Sequence, residues 1–431
     1  MKSLSIGLLG CGQIGSAVYS LLKRKEKTLA LETGGAFKVI GVAVRHSRKV
    51  RPVRIPASLL TTRADRLVRD ERVDVIVELI GGTQIAKRLV LEALRNGKDV
   101  VTANKALLAE HGDEIFKAAQ KSGRQIFFEA SVGGGIPVIK ALREGLVANR
   151  INSIHSIING TSNYILSEMS ERKMSFKSAL HEAQQKGYAE ANPTLDIEGV
   201  DSAHKLAILV RLAFNGRFPF KAIYSEGISR IQNEDIAFAD EFGYRIKLLA
   251  TAKRDRDGIE ARVEPTLLPK NHILANVSGS FNAVLLGGDE VGEILLYGKG
   301  AGPAPTASAV VSDLVDLMKG HTSGLWRSPS VNFSGSLKVK GTSSILSRYY
   351  LRFHVVDKPG VLSKLSSILG RHRISISDVI QKERKAGSVV PLILLTHDAP
   401  ERELRLAIGE IDRLKVAQSK SQVIRVEGEA R

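Results

Sequence analysis

The feature that most limits what this chain can become is a glycine loop placed between two different periodicities. The apolar run SIGLLG leads into Gly10-Cys11-Gly12-Gln13-Ile14-Gly15, and QIGSAVYSLLKRK then repeats its apolar residues at helical spacing. Each position of a G-x-G-x-x-G between a strand and a helix has a physical task. Gly10 permits the tight turn, Gly12 lets the backbone approach a pyrophosphate, and Gly15 lets the helix lie close to the strand, while the helix start at Gln13 and Ile14 receives the phosphate charge. The same six letters also occur in turns that bind nothing, so the flanking strand and helix carry the weight. Cys11 reads as a small packing residue rather than a nucleophile.

Beyond the loop, KVIGVAVR, VDVIVELI and KDVV alternate with QIAKRLVLEALRNG and a helix at about 105–121. Short apolar strands alternating with amphipathic helices predict a doubly wound parallel sheet of Rossmann type over 1–136. At Gly133-Gly134-Gly135 the order changes, and 137–302 reads as an α+β second domain. The helical run at 303–320 is expected to pack back on the first domain. The stretch 321–348 contains no acid and reads as a linker, which predicts a mobile attachment for the C-terminal segment. Residues 349–428 then spell βαββαβ, the ferredoxin-like order.

Composition narrows the function. A net charge of +18 raises nucleic acid as a partner, but the basic residues are scattered over helix faces with few aromatics among them, so a solvated surface is the plainer reading. One cysteine excludes an intrachain disulfide and a multi-cysteine zinc site. No apolar run reaches the roughly 18 residues of a membrane span, and MKSLSIGLLG leads into glycines rather than a cleavage site, which together point to a cytoplasmic protein.

An acid about 20 residues beyond the glycine loop would bind the ribose of NAD. Here the second strand ends in Val44-Arg45-His46-Ser47-Arg48-Lys49, without a carboxylate, so Val44 and Arg45 are expected at a 2′-phosphate and NADP is favoured over NAD. Ordinary surface charge is the alternative. The densest polar stretch, AQQKGYAEANPTLDIEGVDSAHK, precedes the apolar helix LAILVRLAF; Asp201 and Lys205 lie four apart and share a helix face if the helix has begun by Asp201.

This stretch closely resembles the signature of the homoserine dehydrogenase family at Ala183, Gly187, Tyr188, Ala189, Asn192, Pro193, Asp196, Ile197, Gly199, Asp201 and Lys205. ELIGGT, VTANKALLAEHG, FEASVGGGIP, NGTSNYIL and GKGAGPAPTASAVVSDL extend the resemblance along the chain, and the C-terminal segment with its DKPGVL turn resembles an ACT regulatory domain. The resemblance implies NAD(P)-dependent interconversion of L-aspartate 4-semialdehyde and L-homoserine. It implies Lys205 as proton donor, Lys105 at cofactor and substrate, Asp196 in the same polar site, and Glu190 and Asp201 as substrate ligands. Gly187 and Gly302 are implied at the cofactor, and carbonyls near Glu129, Val132, Gly134 and Ile136 at Na+ or K+; a plain turn is the alternative for Gly302 and a hinge between domains for Gly133 to Gly135. His46 stands where many relatives carry Asp.

Hydride addition to an aldehyde develops negative charge on its oxygen, which a lysine can meet as acid or as fixed cation. Aspartate-semialdehyde dehydrogenase, a rival, needs a cysteine nucleophile, and Cys11 lies in the dinucleotide loop. A non-catalytic amino-acid sensor would not need Lys105, Glu190, Asp201 and Lys205 together. At the C-terminal module, Asp357, Gly360 and Val361 are expected to receive an amino-acid effector, threonine first, with a tail that only aids assembly as the alternative. The resemblance implies 137–302 as a substrate-binding and dimerisation domain, and a homodimer, or a homotetramer through paired ACT domains.

Overall fold

A computed structural model describes residues 2–323, 333, 335–382 and 387–428. In chain order its strands are β1 Lys2–Leu9, β2 Gly35–Ala43, β3 Leu60–Thr61, β4 Val75–Glu78, β5 Asp99–Thr102, β6 Ile126–Phe127, β7 Ile151–Ile157, β8 Tyr224–Ser225, β9 Tyr244–Arg254, β10 Ile259–Pro269, β11 Phe281–Gly288, β12 Gly292–Lys299, β13 Leu346–Val356, β14 Ile376–Ile380, β15 Val389–Thr396, β16 Ala399–Pro400 and β17 Gln422–Val426. The helices are α1 Gln13–Arg24, α2 Glu26–Thr33, α3 Ala64–Arg69, α4 Gln84–Arg95, α5 Lys105–Ser122, α6 Val138–Lys140, α7 Gly160–Glu171, α8 Phe176–Gln185, α9 Thr194–Ile197, α10 Val200–Ala213, α11 Asn233–Glu241, α12 Pro303–Ser323, α13 Val361–Arg371 and α14 Glu401–Ile411. The chain divides into two compact units. The first holds 1–154, 201–222 and 281–337; the second holds 155–200, 223–280 and 338–431.

In the first unit the sheet runs β3-β2-β1-β4-β5-β6, parallel throughout, which is the predicted Rossmann arrangement. Parallel strands need both faces covered, and the fully buried Leu4, Ile6, Leu8, Val75 and Val77 answer that need. Helix α12 closes one face: Val310, Leu314, Leu317 and Met318 join that core, and a Cβ on Gly35 would come within 2.4 Å of the Met318 sulfur. Each such buried side chain contributes roughly 1.5–3 kcal/mol, so this 21-residue helix is held by its apolar stripe. The hairpin β11–β12 is antiparallel.

In the second unit neighbouring strands run β9-β10-β17-β13-β15-β14. Strands β13, β14, β15 and β17 with α13 and α14 form the βαββαβ module, whose core includes Leu351, Phe353, Leu365, Leu369, Leu392, Leu404 and Ile411. The expectation of a loose attachment gives way here. Strand β17 pairs in parallel with β10, at Thr266 with Arg425 and at Leu267 with Val426, so the module continues the sheet of β9 and β10. The Lys340 N–H donates to the Ile259 carbonyl at 2.8 Å and the Ile259 N–H donates to the Lys338 carbonyl at 2.8 Å, so this part of the stretch expected as a linker is itself bridged to β10. Residues 324–332 and 334 of that stretch lie outside the described residues.

A charged cluster reinforces the pairing. Arg262 on β10 meets Glu260 at 2.7 Å, Glu264 at 3.1 Å and Glu401 at 2.9 Å, while Arg425 on β17 meets Glu264 at 2.6 Å and Glu401 at 2.9 Å; Arg405 also binds Glu401. Beside it, Arg352 of β13 holds Asp235 of α11 at 2.7 Å.

Candidate active site

The glycine loop follows β1 as its sequence requires. Gly10 has φ of +96°, and a Cβ there would lie 2.7 Å from the Leu79 carbonyl; one on Gly15 would lie 2.3 Å from the Gly10 carbonyl. A Cβ on Gly12 would meet nothing within 4 Å, so the loop presents bare backbone in front of the first turn of α1. Gly12 caps that helix without any side-chain hydrogen bond, leaving the amides at Gln13 and Ile14 aimed past the loop. These residues fit a dinucleotide pyrophosphate. Past β2, Val44 N–H bonds to the Thr61 carbonyl at 2.8 Å, and Arg45 is exposed, with no ion pair among the described residues. Arg51 shapes the following loop by donating to the carbonyls of Ser47 and Lys49 at 3.0 and 2.7 Å and to that of His46.

Asn104 caps α5 by accepting the Leu107 N–H at 3.1 Å, so Lys105 is the first helical residue. Helix α10 starts beside it. Arg211, 4% exposed, donates to the Leu108 and Ala109 carbonyls of α5 at 2.6 and 2.9 Å and fixes the two helices together. At the other end of α10 the first turns of the two helices also meet: Lys105 Nζ lies 2.6 Å from Asp201 Oδ1, and Lys205 Nζ donates to Asp201 Oδ2 at 2.6 Å. The Asp201 and Lys205 side chains are 6% and 10% exposed, while that of Lys105 is 42% exposed. Burial alone would push the Asp201 carboxyl up; the charges of Lys205 and Lys105 and their hydrogen bonds overcome this and hold it well below the usual carboxylate range. His204 stacks on Phe220 at 4.8 Å, and burial lowers its pKa, so it stands neutral beside the cluster.

In the second unit Asp196 is received by the start of α7. Asn159 Nδ2 donates to its Oδ1 at 2.7 Å, and Ser162 Oγ donates to its carbonyl at 2.9 Å, while Thr161 Oγ1 donates to the Tyr188 carbonyl at 2.6 Å. Sequence reasoning missed Asn159, although an Asn before Gly-Thr-Ser is a readable helix cap. Glu190 is exposed and its carboxylate has no partner among the described residues. Gly187 has φ of +74° in the turn after α8, and Gly302, in the first unit, has φ of +114° before α12.

The carbonyl site predicted at 129–136 lies in the first unit. Glu129 is consumed as a side chain: Oε1 and Oε2 accept the N–H groups of Ile139 and Lys140 at 2.9 and 2.7 Å. Burial, opposed by those bonds, raises its carboxyl to about 7. Its carbonyl accepts from Val132 and that of Ile136 from Val138, but the buried carbonyls of Val132 and Gly134 have no partner among the described residues. Buried oxygens in that condition fit a hard cation. No group of three or more His, Cys, Asp or Glu side chains suited to a metal occurs among the described residues. At the C-terminal module, Gly360 has φ of +85° and caps α13, and Asp357 Oδ2 is buried without a hydrogen-bond partner among the described residues. No helix of the described residues is long and apolar enough to cross a membrane.

A parallel sheet with an open glycine loop, followed by a carboxylate between two lysines, defines a nicotinamide-dependent oxidoreductase. Residues 10–129 match the family described as homoserine dehydrogenase, NAD binding domain; 137–315 match homoserine dehydrogenase and 349–416 match the ACT domain. The homoserine dehydrogenase of Pseudomonas aeruginosa is 45% identical over 433 residues and that of Neisseria gonorrhoeae 44% over 432, each covering 99% of both chains. A solved homoserine dehydrogenase from Thiobacillus denitrificans is 45% identical, with a TM-score of 0.91 over 99% of both chains. This chain belongs to the homoserine dehydrogenase family, with that enzyme activity and a C-terminal ACT domain.

Proposed function

We propose that the chain interconverts L-aspartate 4-semialdehyde and L-homoserine with Lys205 as proton donor, Lys105 sharing that duty and Asp201 holding both. The observation that carries the reading is the pair of 2.6 Å contacts from the two ammonium groups to one buried carboxylate. A bound nicotinamide supplies the hydride to the aldehyde carbon. Lys205 gives its proton to the oxygen as charge develops there, and the second ammonium keeps the site positive through the transfer. In the reverse direction Lys205 takes the hydroxyl proton. On the family resemblance Glu190, whose carboxylate has no partner among the described residues, is assigned to the substrate ammonium, and Asp196 to the polar residues that act with it.

The cofactor reading is NADP, held at Gly10, Gly12, Gln13, Ile14, Gly15, Val44, Arg45, Lys105, Gly187 and Gly302. It is supported by an exposed Arg45, without an ion pair among the described residues, at the place where an acid would bind a ribose. The carbonyls at Glu129, Val132, Gly134 and Ile136 would hold Na+ or K+ and stiffen the loop that follows β6. Asp357, Gly360 and Val361 are assigned to a threonine effector, since α13 begins there and a buried carboxylate oxygen waits for a donor such as an ammonium. We read the enzyme as a cytoplasmic homodimer or homotetramer.

Two substitutions test this. Lys205→Ala should lower kcat for homoserine oxidation by roughly 10² to 10⁴ with a much smaller change in KM, and an unchanged kcat would remove Lys205 from the chemistry. Glu190→Gln should weaken homoserine binding by about 2–4 kcal/mol and leave the cofactor affinity nearly untouched; equal losses for both would make Glu190 structural.

A further inference from the structure

Glu78 ends β4 fully buried, and the proton transfer gives it no task. Its run, VDVIVELI, is otherwise apolar around it. A carboxylate in such a place is costly unless its oxygens are met by donors. Thr102 Oγ1 donates to Oε2 at 2.6 Å, Ile80 N–H donates to Oε1 at 3.0 Å, and Asn104 Nδ2 reaches Oε1 at 3.5 Å. Burial still pushes the Glu78 carboxyl up, against these donors.

Two chains of contact leave this carboxylate. Towards the glycine loop, the Ile80 bond fixes the turn after β4, against which Gly10 is packed so closely that a Cβ would lie 3.1 Å from Ile80 Cγ2. Towards the lysine, Thr102 Oγ1 accepts the Asn104 N–H at 3.0 Å; Asn104 then donates to the Gly82 carbonyl at 2.7 Å and caps α5 through Leu107. Helix α5 begins at Lys105 because that cap is there. A glutamine of the same shape would replace one acceptor by an NH2 group facing the Thr102 hydroxyl or the Ile80 N–H, and both of these are donors in the present arrangement.

We propose that Glu78 is a positioning residue, whose carboxylate sets the start of α5 through Thr102 and Asn104 and so places the Lys105 ammonium on Asp201. The proposal rests on the reading of Lys105 as part of the proton-transfer machinery. It is tested by a double-mutant cycle on kcat for homoserine oxidation, with wild type, Glu78→Gln, Lys105→Ala and the double variant. Glu78→Gln alone should lower kcat about tenfold. In the Lys105→Ala background it should change kcat by less than about twofold, because the group it positions is gone. Thr102→Val, which removes the hydroxyl, should reproduce the loss and Thr102→Ser should not, which keeps the test open if Glu78→Gln fails to fold. A tenfold loss that persists undiminished beside Lys105→Ala, or full kcat in both Glu78→Gln and Thr102→Val, overturns the proposal. Wild-type kcat in Lys105→Ala alone would instead overturn the reading of Lys105, and the two failures are told apart by that single variant.

Discussion

In the first unit one carboxylate, Asp201, sits between the ammonium groups of Lys105 and Lys205; in the second, the guanidinium groups of Arg262, Arg405 and Arg425 meet the carboxylates of Glu260, Glu264 and Glu401. The residue types are similar and the balance differs. In the proposed mechanism the two ammonium groups on Asp201 meet negative charge that appears during the reaction. Three cations on three acids cancel, and with Arg262 and Glu401 each 3% exposed the cluster is a fastening between two strands and a helix. On the proposed reading the first cluster serves the reaction and the second the fold, although both are built on buried carboxylates.

Breaking each cluster should therefore have different readouts. The largest effect is expected from Asp201→Asn, which releases both lysines: kcat/KM for homoserine should fall on the order of 10³. A loss under tenfold in steady-state assays would mean that the lysines do not depend on their shared acid. Glu401→Gln should leave kcat within about twofold but cost about 3 kcal/mol in denaturant unfolding, because two buried guanidinium groups lose a partner. A drop in kcat at unchanged stability would reverse the contrast between the clusters.

A smaller effect is expected at His155, close to Glu427 and buried enough that its pKa is pushed down to about 4, the nearby carboxylate notwithstanding. The unfolded chain binds this proton more tightly than the folded one. The stability conferred by a neutral His155 is thus present above pH 6.5 and lost as pH falls towards 4, by up to about 2–3 kcal/mol. His155→Gln should flatten that part of the acid-unfolding profile; an unaltered slope would show that the imidazole titrates normally. Smallest is the cofactor choice. Arg45→Asp should shift the NADP to NAD affinity ratio by about tenfold towards NAD at fixed salt, and a constant ratio would make Arg45 ordinary surface charge.

The parallel sheet and the βαββαβ module were legible because their hydrophobic periods are local. The pair Asp201 and Lys205 was legible too, since four residues on a helix is one turn. The contact from Lys105 to Asp201 was open to inference only through family resemblance, because no local pattern brings the starts of α5 and α10 together, and the bonds by which Arg211 ties the end of α10 to α5 run to carbonyls, which have no letter in a sequence. Glu78 was passed over inside an apolar run, where one acid looks like noise until its donors are seen. The loose tail was misjudged for a related reason. An acid-free stretch looks like a tether, and the pairing of β17 with β10 spans two residue pairs with no sequence mark of their own.

That pairing has a consequence for how the protein is made. Arg425 and Glu264 are 161 residues apart, so β10 leaves the ribosome long before the strand that covers part of its edge. Until β17 arrives, the Thr266 and Leu267 backbone is open to any other strand, a hazard for association with a neighbouring nascent chain. Synthesis at about 5–20 residues per second leaves that edge waiting for roughly 10–30 seconds. Cutting the chain near residue 345 would make the wait permanent and remove Glu401 and Arg425 with it, so such a fragment is expected in the pellet rather than as a deregulated enzyme.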